Sequence, residues 1–461
     1  MADIVIKNGF ILTLAPDRDV IEGGALAIEG DRIVGIGPAG EISRRHQATI
    51  NIDARDKLVM PGLVNGHVHL GSTLSRGLLD DIECVPWIER IFSWYYPSLD
   101  EESYYLATMI CCLEMVKTGT TTLCDCGTLP GVEGAAVRAV TEIGMRGVLG
   151  RVLMDIYQPP AILGVPENMQ ETTEEALSRG EEFVKRYHKA AGGRIQAWLD
   201  LQQVSNSSDE LCRGVREITK RYDVGILTHA AVSPAEVRIC PQRFGLPPIE
   251  RFDNLGLLGP WFLAAHMGWI NGGELILLKE RRANVVHIAG SSMHGAYGSI
   301  SRGLFPEMAA AGINICLGSD GASCSNHFDM VRQLYLAATA HKEVRLDPTL
   351  FPAQQVLRMG TINGARALGL EKEIGTLEVG KKADVAIFDL MRPEWVPFHR
   401  ENLVSNLVYS ASGASVDTVI IDGRLIVQNG QVKTVDEHEI LKRGQKVSRR
   451  ILDKADWLPR S

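Results

Sequence analysis

From residue 59 to residue 372 the chain alternates apolar, strand-like runs with segments of helical spacing, and several of the runs end on a residue able to bind a metal. Pro61-Gly-Leu-Val-Asn-Gly-His67-Val-His69, Val224-Gly-Ile-Leu-Thr-His229, Trp261-Phe-Leu-Ala-Ala-His266 and Ile313-Asn-Ile-Cys-Leu-Gly-Ser-Asp320 each stop where apolar strand meets polar loop. Helical patterns over residues 101–118, 210–222 and 273–281 come just before strand-like runs that start at Thr120, Val224 and Asn284. This repetition predicts an α/β chain built on a closed (β/α)8 TIM barrel, in which functional groups sit at the carboxyl ends of several strands. A doubly wound sheet lacks support, because no G-x-G-x-x-G or P-loop opens a helical segment.

Both ends have a different texture. Short β-rich runs broken by turn signals, such as Ile4-Val-Ile-Lys-Asn-Gly and Arg32-Ile-Val-Gly-Ile-Gly, fill residues 2–58, and the pattern returns in Ala383-Asp-Val-Ala-Ile-Phe-Asp and Val416-Asp-Thr-Val-Ile-Ile-Asp-Gly. We expect residues 1–58 and 373–435 to build one small β-sandwich, with the barrel at 59–372 between them. The charged tail 436–461 has helical spacing and is expected to pack on a surface or a neighbouring subunit. An insertion over residues 71–100 carries Trp87, Phe92, Trp94, Tyr95 and Tyr96, enough aromatic area to cover a pocket or a contact between copies in a homo-oligomer. Trp87, midway along it, is the expected pocket residue.

A chain of 461 residues with 45% hydrophobic content can fill such a barrel and an appended domain. The net charge of −8 comes without any Lys/Arg block, so the expected partner is a small-molecule substrate, with no nucleic acid and no membrane. The N-terminus shows no basic-then-apolar leader and no apolar stretch is of spanning length, which makes the cytoplasm the expected location. Nine cysteines, an odd number without a paired framework, read as reduced thiols. In Cys124-Asp-Cys126 the two thiols face the same way, but no second pair completes a thiolate site, so Cys126 is read as lining a pocket or core.

His67 and His69, two residues apart on a strand, project from the same side and can hold one ion together. Alone this spacing is a weak signal, since a strand can carry two histidines by chance. His229, His266 and Asp320 add further metal-compatible groups at strand ends, all nitrogen or oxygen donors without thiolate, which permit a divalent metal such as zinc, iron, cobalt or manganese.

With these motifs in place, together with Leu317-Gly-Ser-Asp-Gly-Ala-Ser-Cys-Ser-Asn and Gly375-Thr-Leu-Glu-Val-Gly-Lys-Lys-Ala-Asp-Val-Ala, the chain resembles the amidohydrolase superfamily. The similarity is to the branch containing cytosine, guanine and S-adenosylhomocysteine deaminases and the triazine hydrolases. The resemblance implies that His67, His69, His229 and Asp320 bind the metal, with His266 beside the attacking water or the substrate oxygen, or itself a ligand. Binuclear relatives use a carboxylated lysine on a middle strand, and the matching run Arg194-Ile-Gln-Ala-Trp-Leu-Asp-Leu-Gln-Gln-Val has none, so a mononuclear site is expected.

Two positions depart from the family pattern. The deaminases carry a glutamate three residues after the strand-five histidine, which protonates the ring nitrogen; here that position is Val232, and Glu236 lies too far along to replace it by simple register. Ser292 stands where asparagine is usual. Without the acid, the resemblance favours an exocyclic carbonyl: a urea, carbamate or thiocarbamate, as in the phenylurea and thiocarbamate herbicide hydrolases. On this expectation Asp320 shuttles the proton, His266 stabilises the oxyanion, His287 helps protonate the leaving nitrogen, and Trp87, Cys126, Val232 and Ser292 contact substrate. The alternatives are a deaminase or dechlorinase of a triazine, purine or pyrimidine, and a catalytically silent scaffold.

Overall fold

The computed structural model describes residues 2–16, 18–158 and 165–453. Eight parallel strands form one sheet in chain order: Leu63–Val68, Thr120–Thr128, Arg146–Leu153, Ile195–Gln203, Ile226–Ala230, Phe262–His266, Asn284–His287 and Asn314–Leu317. The last meets the first where Ser319 and Asp320 donate their backbone N–H groups to the His67 carbonyl, at 3.1 and 2.9 Å, and Val68 bridges to Asp320. The sheet thereby curls into the expected barrel. Most of these strands are buried along their whole length, as parallel strands covered on both faces must be.

The helices between them start where their sequences provide caps. Asp100 and Ser103 form a reciprocal capping box at Glu101–Lys117, Ser208 caps Asp209–Tyr222, and Asn271 with Glu274 caps Gly272–Arg281. Each falls within a residue of its expected position.

The two ends of the chain share a nine-stranded sheet. Lys57–Pro61 is its join, running parallel to Ala2–Ala15 and antiparallel to Val385–Asp389, with Val59 opposite both Ile11 and Ile387. Ile4, Ile6, Leu26, Ile33, Val385 and Ile420 fill a core of their own beneath it. The helix Glu437–Leu452 lies on the barrel helix Glu101–Lys117, where Gly444 sits against Ile110 and Lys117, Glu102 and Asp100 pair with Glu437, Arg443 and Arg450. Residues 454–461 of the expected tail lie outside the described residues. No helix among the described residues is long and apolar enough to cross a membrane.

Candidate metal centre

Four histidines and one aspartate meet at the carboxyl end of the barrel. His67 and His69 come from the first strand and its end, His229 from the fifth, His266 from the sixth, and Asp320 follows the eighth. Ring centroids of His67 lie 4.9 Å from His69, 4.8 Å from His229 and 5.6 Å from His266. The Asp320 carboxylate is 3.3 Å from His69 Nε2, 3.7 Å from His67 Nε2 and 3.8 Å from His266 Nε2. All five residues are buried.

The backbone turns sharply to aim them. His266 has φ of 72° and Asp320 of 65°, left-handed values uncommon for residues with a Cβ, and both are held by the hydrogen bonds that close the strand ends. Gly127 makes room: a Cβ there would lie 2.6 Å from His69 Nδ1. Gly127→Ala is expected to displace that ring and weaken metal affinity by about 10–100-fold, read by competition with a chelator; unchanged affinity would show that the ring can shift without loss.

The residues present fit a metal ion. Donor atoms of His67, His69 and His229, and of His67, His266 and Asp320, lie within 4.8 Å of one another. Both ring nitrogens of His67 are buried without a hydrogen-bond partner, an arrangement that costs free energy unless a ligand satisfies them. His229 Nδ1 donates to the Gln202 carbonyl at 2.8 Å, which fixes the tautomer that leaves Nε2 free to coordinate. Burial pushes His69 down to about 3, His266 down to about 4 and His229 well below its ordinary value, so these rings are neutral and their lone pairs available. Burial opposes ionisation of Asp320, but the polar ring nitrogens of His67, His69 and His266 packed around it outweigh burial and hold the carboxyl well below its usual range. Its Oδ2 accepts from Ser291 Oγ at 2.6 Å and its Oδ1 from the Gly321 N–H at 2.8 Å. The set is suited to a single ion.

A cavity of about 50 Å³ opens over this cluster. His69, His229, His266 and Asp320 line it, with Trp87, Phe92 and Tyr96 from the insertion and Tyr297 from the loop after the seventh strand. Trp87 is fixed by donating Nε1–H to the Ser323 carbonyl at 3.0 Å. The insertion divides its aromatic residues: Tyr95 is buried with its hydroxyl on the Gly71 carbonyl, and Trp94 faces solvent. Val232 also lines the cavity.

Three expected site residues do not reach the cavity. His287 packs between Phe305 and Phe351 with its Nε2 3.2 Å from His341 Nε2, because its strand turns that ring toward the surrounding helices. Ser292 Oγ is occupied by the Ser299 N–H at 3.0 Å, and the Cys126 thiol is directed toward Cys124 inside the barrel. Conversely, Gln202, Gln203, Tyr297, Cys84 and Cys324 line the cavity without having been singled out from the sequence. Gln202 and Gln203 end the fourth barrel strand, and that strand-end position is the signal that could have found them.

Glu236 does fold back, contrary to the expectation from register. The helix Pro234–Phe244 begins at Ser233, and its first turn returns the Glu236 carboxyl to the Val232 N–H at 2.8 Å. Burial pushes this group up to about 8 despite hydrogen bonds from Val232 and Ala231 that lower it. Since the unfolded carboxyl loses its proton near 4.5, the native state binds more protons between there and about 8. The stabilisation from Glu236 is therefore full below 4.5 and declines as pH rises through about 8, by at most about 1.4 kcal/mol per pH unit. Glu236→Gln should flatten that slope in urea titrations from pH 5 to 9, and an unchanged slope would locate its origin elsewhere.

A closed parallel barrel beside a separate terminal sheet, with buried histidines and an aspartate converging at the barrel's carboxyl end, defines the class of metal-dependent hydrolases. The Amidohydrolase family model matches residues 58–426, and the chain belongs to that family. It is 38% identical over 442 residues, 95% of this chain and 97% of the relative, to a 5-methylthioadenosine/S-adenosylhomocysteine deaminase of Moorella thermoacetica. A 5'-deoxyadenosine deaminase of Methanosarcina mazei is 34% identical over 452 residues, covering 98% and 99% of the two chains. Among solved structures, a zinc-bound adenosine deaminase from Xanthomonas campestris superposes with a TM-score of 0.89 at 26% identity over 98% of this chain and 99% of that one. A triazine hydrolase variant shares the fold with a TM-score of 0.89 at 22% identity, covering 97% and 100%. The protein is thus a hydrolase acting on C–N bonds other than peptide bonds.

These relatives overturn the expectation of a urea, carbamate or thiocarbamate hydrolase, and with it the phenylurea and herbicide-degrading resemblance. That expectation rested on the missing acid at Val232. One absent side chain does not identify the bond broken when nearly the whole chain matches adenosine-type deaminases.

Proposed function

We propose that the protein is a zinc-dependent hydrolytic deaminase of adenosine-type nucleosides, removing ammonia from the purine ring. The observation that carries this reading is the near-full-length similarity to deaminases of 5'-deoxyadenosine and of 5-methylthioadenosine/S-adenosylhomocysteine. The cavity adds support, since Trp87, Phe92, Tyr96 and Tyr297 offer apolar aromatic surfaces for a purine and its 5' substituent beside the metal-binding residues.

His67, His69, His229 and Asp320 would hold the ion, with His266 against Asp320 as a further ligand or an oxygen-binding group. When bound, the ion supplies Lewis-acid activation that makes water nucleophilic near neutral pH. Asp320, ionised and oriented by Ser291, accepts a proton from the attacking water and returns it to the departing amine, because an amine leaves poorly as an anion. His266 steadies the oxygen that adds to the ring. The aromatic wall of the cavity would keep the substrate against these groups. We assign the barrel to residues 59–372 and the closing sheet to 1–58 and 373–435, and infer a cytoplasmic homo-oligomer, a location supported by nine free cysteines.

The test is incubation of zinc-loaded protein with 5'-deoxyadenosine, 5'-methylthioadenosine, S-adenosylhomocysteine and adenosine, with mass spectrometry and ammonia detection. Conversion to the corresponding inosine-type product with one ammonia released is expected. Failure on every nucleoside would refute the reading.

A further inference from the structure

Gln202 and Gln203 close the fourth barrel strand, Ile195–Gln203, and both line the cavity beside His229. They are only 4% and 5% exposed, and the amide carbonyl oxygen of each is buried with no hydrogen-bond partner. A buried acceptor left unpaired penalises the free protein, and such groups are retained where a ligand completes them. Two adjacent ones on the wall of the same cavity point to a ligand that carries hydrogen-bond donors. None of the donors on the aromatic wall hydrogen-bonds to these oxygens: Trp87 Nε1–H is already spent on the Ser323 carbonyl, Phe92 has no donor, and the Tyr96 and Tyr297 hydroxyls leave both carbonyls unpartnered.

We propose that Gln202 and Gln203 are the substrate-reading residues of this site, their side-chain carbonyls accepting N–H or O–H groups of the bound nucleoside. The inference rests on the nucleoside reading and extends it to the groups by which the substrate is selected. An adenosine-type substrate has two sources of donors, the exocyclic amine and the ribose hydroxyls. A carboxamide suits either, and side by side the two glutamines can accept from both hydroxyls of a ribose or from the amine with their own N–H groups turned to neighbouring ring nitrogens. Selection by such groups is stringent, because a substrate without the donor leaves the acceptors unpaired in the complex as well.

Gln202→Leu, Gln203→Leu and the double variant test this in the zinc-loaded enzyme with adenosine, 2',3'-dideoxyadenosine and 6-methoxypurine riboside. Each leucine is expected to lower kcat/KM for adenosine by about 10–100-fold. Losses spared with the dideoxynucleoside assign the carbonyls to the ribose hydroxyls, and losses spared with the methoxypurine assign them to the exocyclic amine; both support the proposal. No loss, or equal loss on all three substrates, overturns it. A second readout is independent of turnover. Removing unpaired buried carbonyls should raise the Tm of the ligand-free protein by about 1–3 °C, whereas a lowered Tm would mean the carbonyls are already partnered and overturn the proposal. If the wild-type enzyme converts none of the nucleosides while the Tm still rises, the nucleoside reading fails and the unpaired acceptors stand for a donor-bearing ligand of another ring class.

Discussion

Replacing His67 or His69 with alanine is expected to remove the bound metal and reduce turnover by at least about 10³-fold, since the nucleophile and the electrostatic stabilisation of the addition step are lost together. The geometry places His67 at the centre of the cluster, within 4.8 Å of the other donor atoms in both ligand groups and with neither ring nitrogen engaged elsewhere. No neighbouring side chain can replace it. Metal content by atomic emission should fall from about one equivalent to near zero, while the fold is retained, because the terminal sheet and the barrel helices do not rest on these rings. Full metal occupancy in His67→Ala would show that the ion is held by other groups, and the site assignment would fail.

The second large effect concerns stability. Arg146, on the third barrel strand and almost fully buried, donates to Asp384 at 2.9 and 3.0 Å and to Asp422 at 3.0 Å, and Lys382 reaches Asp422 at 3.3 Å. These acceptors flank the strand Val385–Asp389 and follow Val416–Ile421, so the network ties the barrel to the closing sheet. Arg146→Ala would leave the buried Asp384 carboxylate without its cation, while Asp422 keeps Lys382 and Arg194, at a cost of about 3–5 kcal/mol. The measure is the denaturation midpoint in guanidinium, and combining the change with Asp384→Asn and Asp422→Asn should recover part of the loss. An unaltered midpoint would mean that water enters and replaces the guanidinium. The site itself should be little disturbed, because Arg146 begins its strand while the metal ligands lie at or beyond the carboxyl ends of theirs.

Much of this site is legible in the sequence. Each metal-capable residue ends an apolar run, and in a parallel barrel all such ends share one face, so His67, His69, His229, His266 and Asp320 could be placed together without coordinates. The helices at Glu101–Lys117, Asp209–Tyr222 and Gly272–Arg281 were equally plain, since spacing and capping residues agree. His287 obeys the same pattern, yet its ring does not line the cavity. A short strand ending at a buried ring can turn that ring toward the outer helices, and only the packing of Phe305, His341 and Phe351 reveals it. Val232 misled in another way: a missing acid is visible in sequence, but nothing local says which bond the surrounding cavity is shaped for.

The sequence by itself therefore determined the barrel, the joining of both termini into one β unit and the metal-capable residues at the strand ends, because strand period, turn chemistry and donor type are local properties, whereas the termini pair as one nine-stranded sheet and not as the expected sandwich. Tertiary structure alone decided which of the insertion's aromatic residues face the cavity, that Glu236 bends back onto Val232, and that Gln202 and Gln203 bring unpaired carbonyls to the cavity wall. Those outcomes depend on contacts between loops from different strands, and the energy of such contacts is set by burial and partner geometry that no local pattern carries.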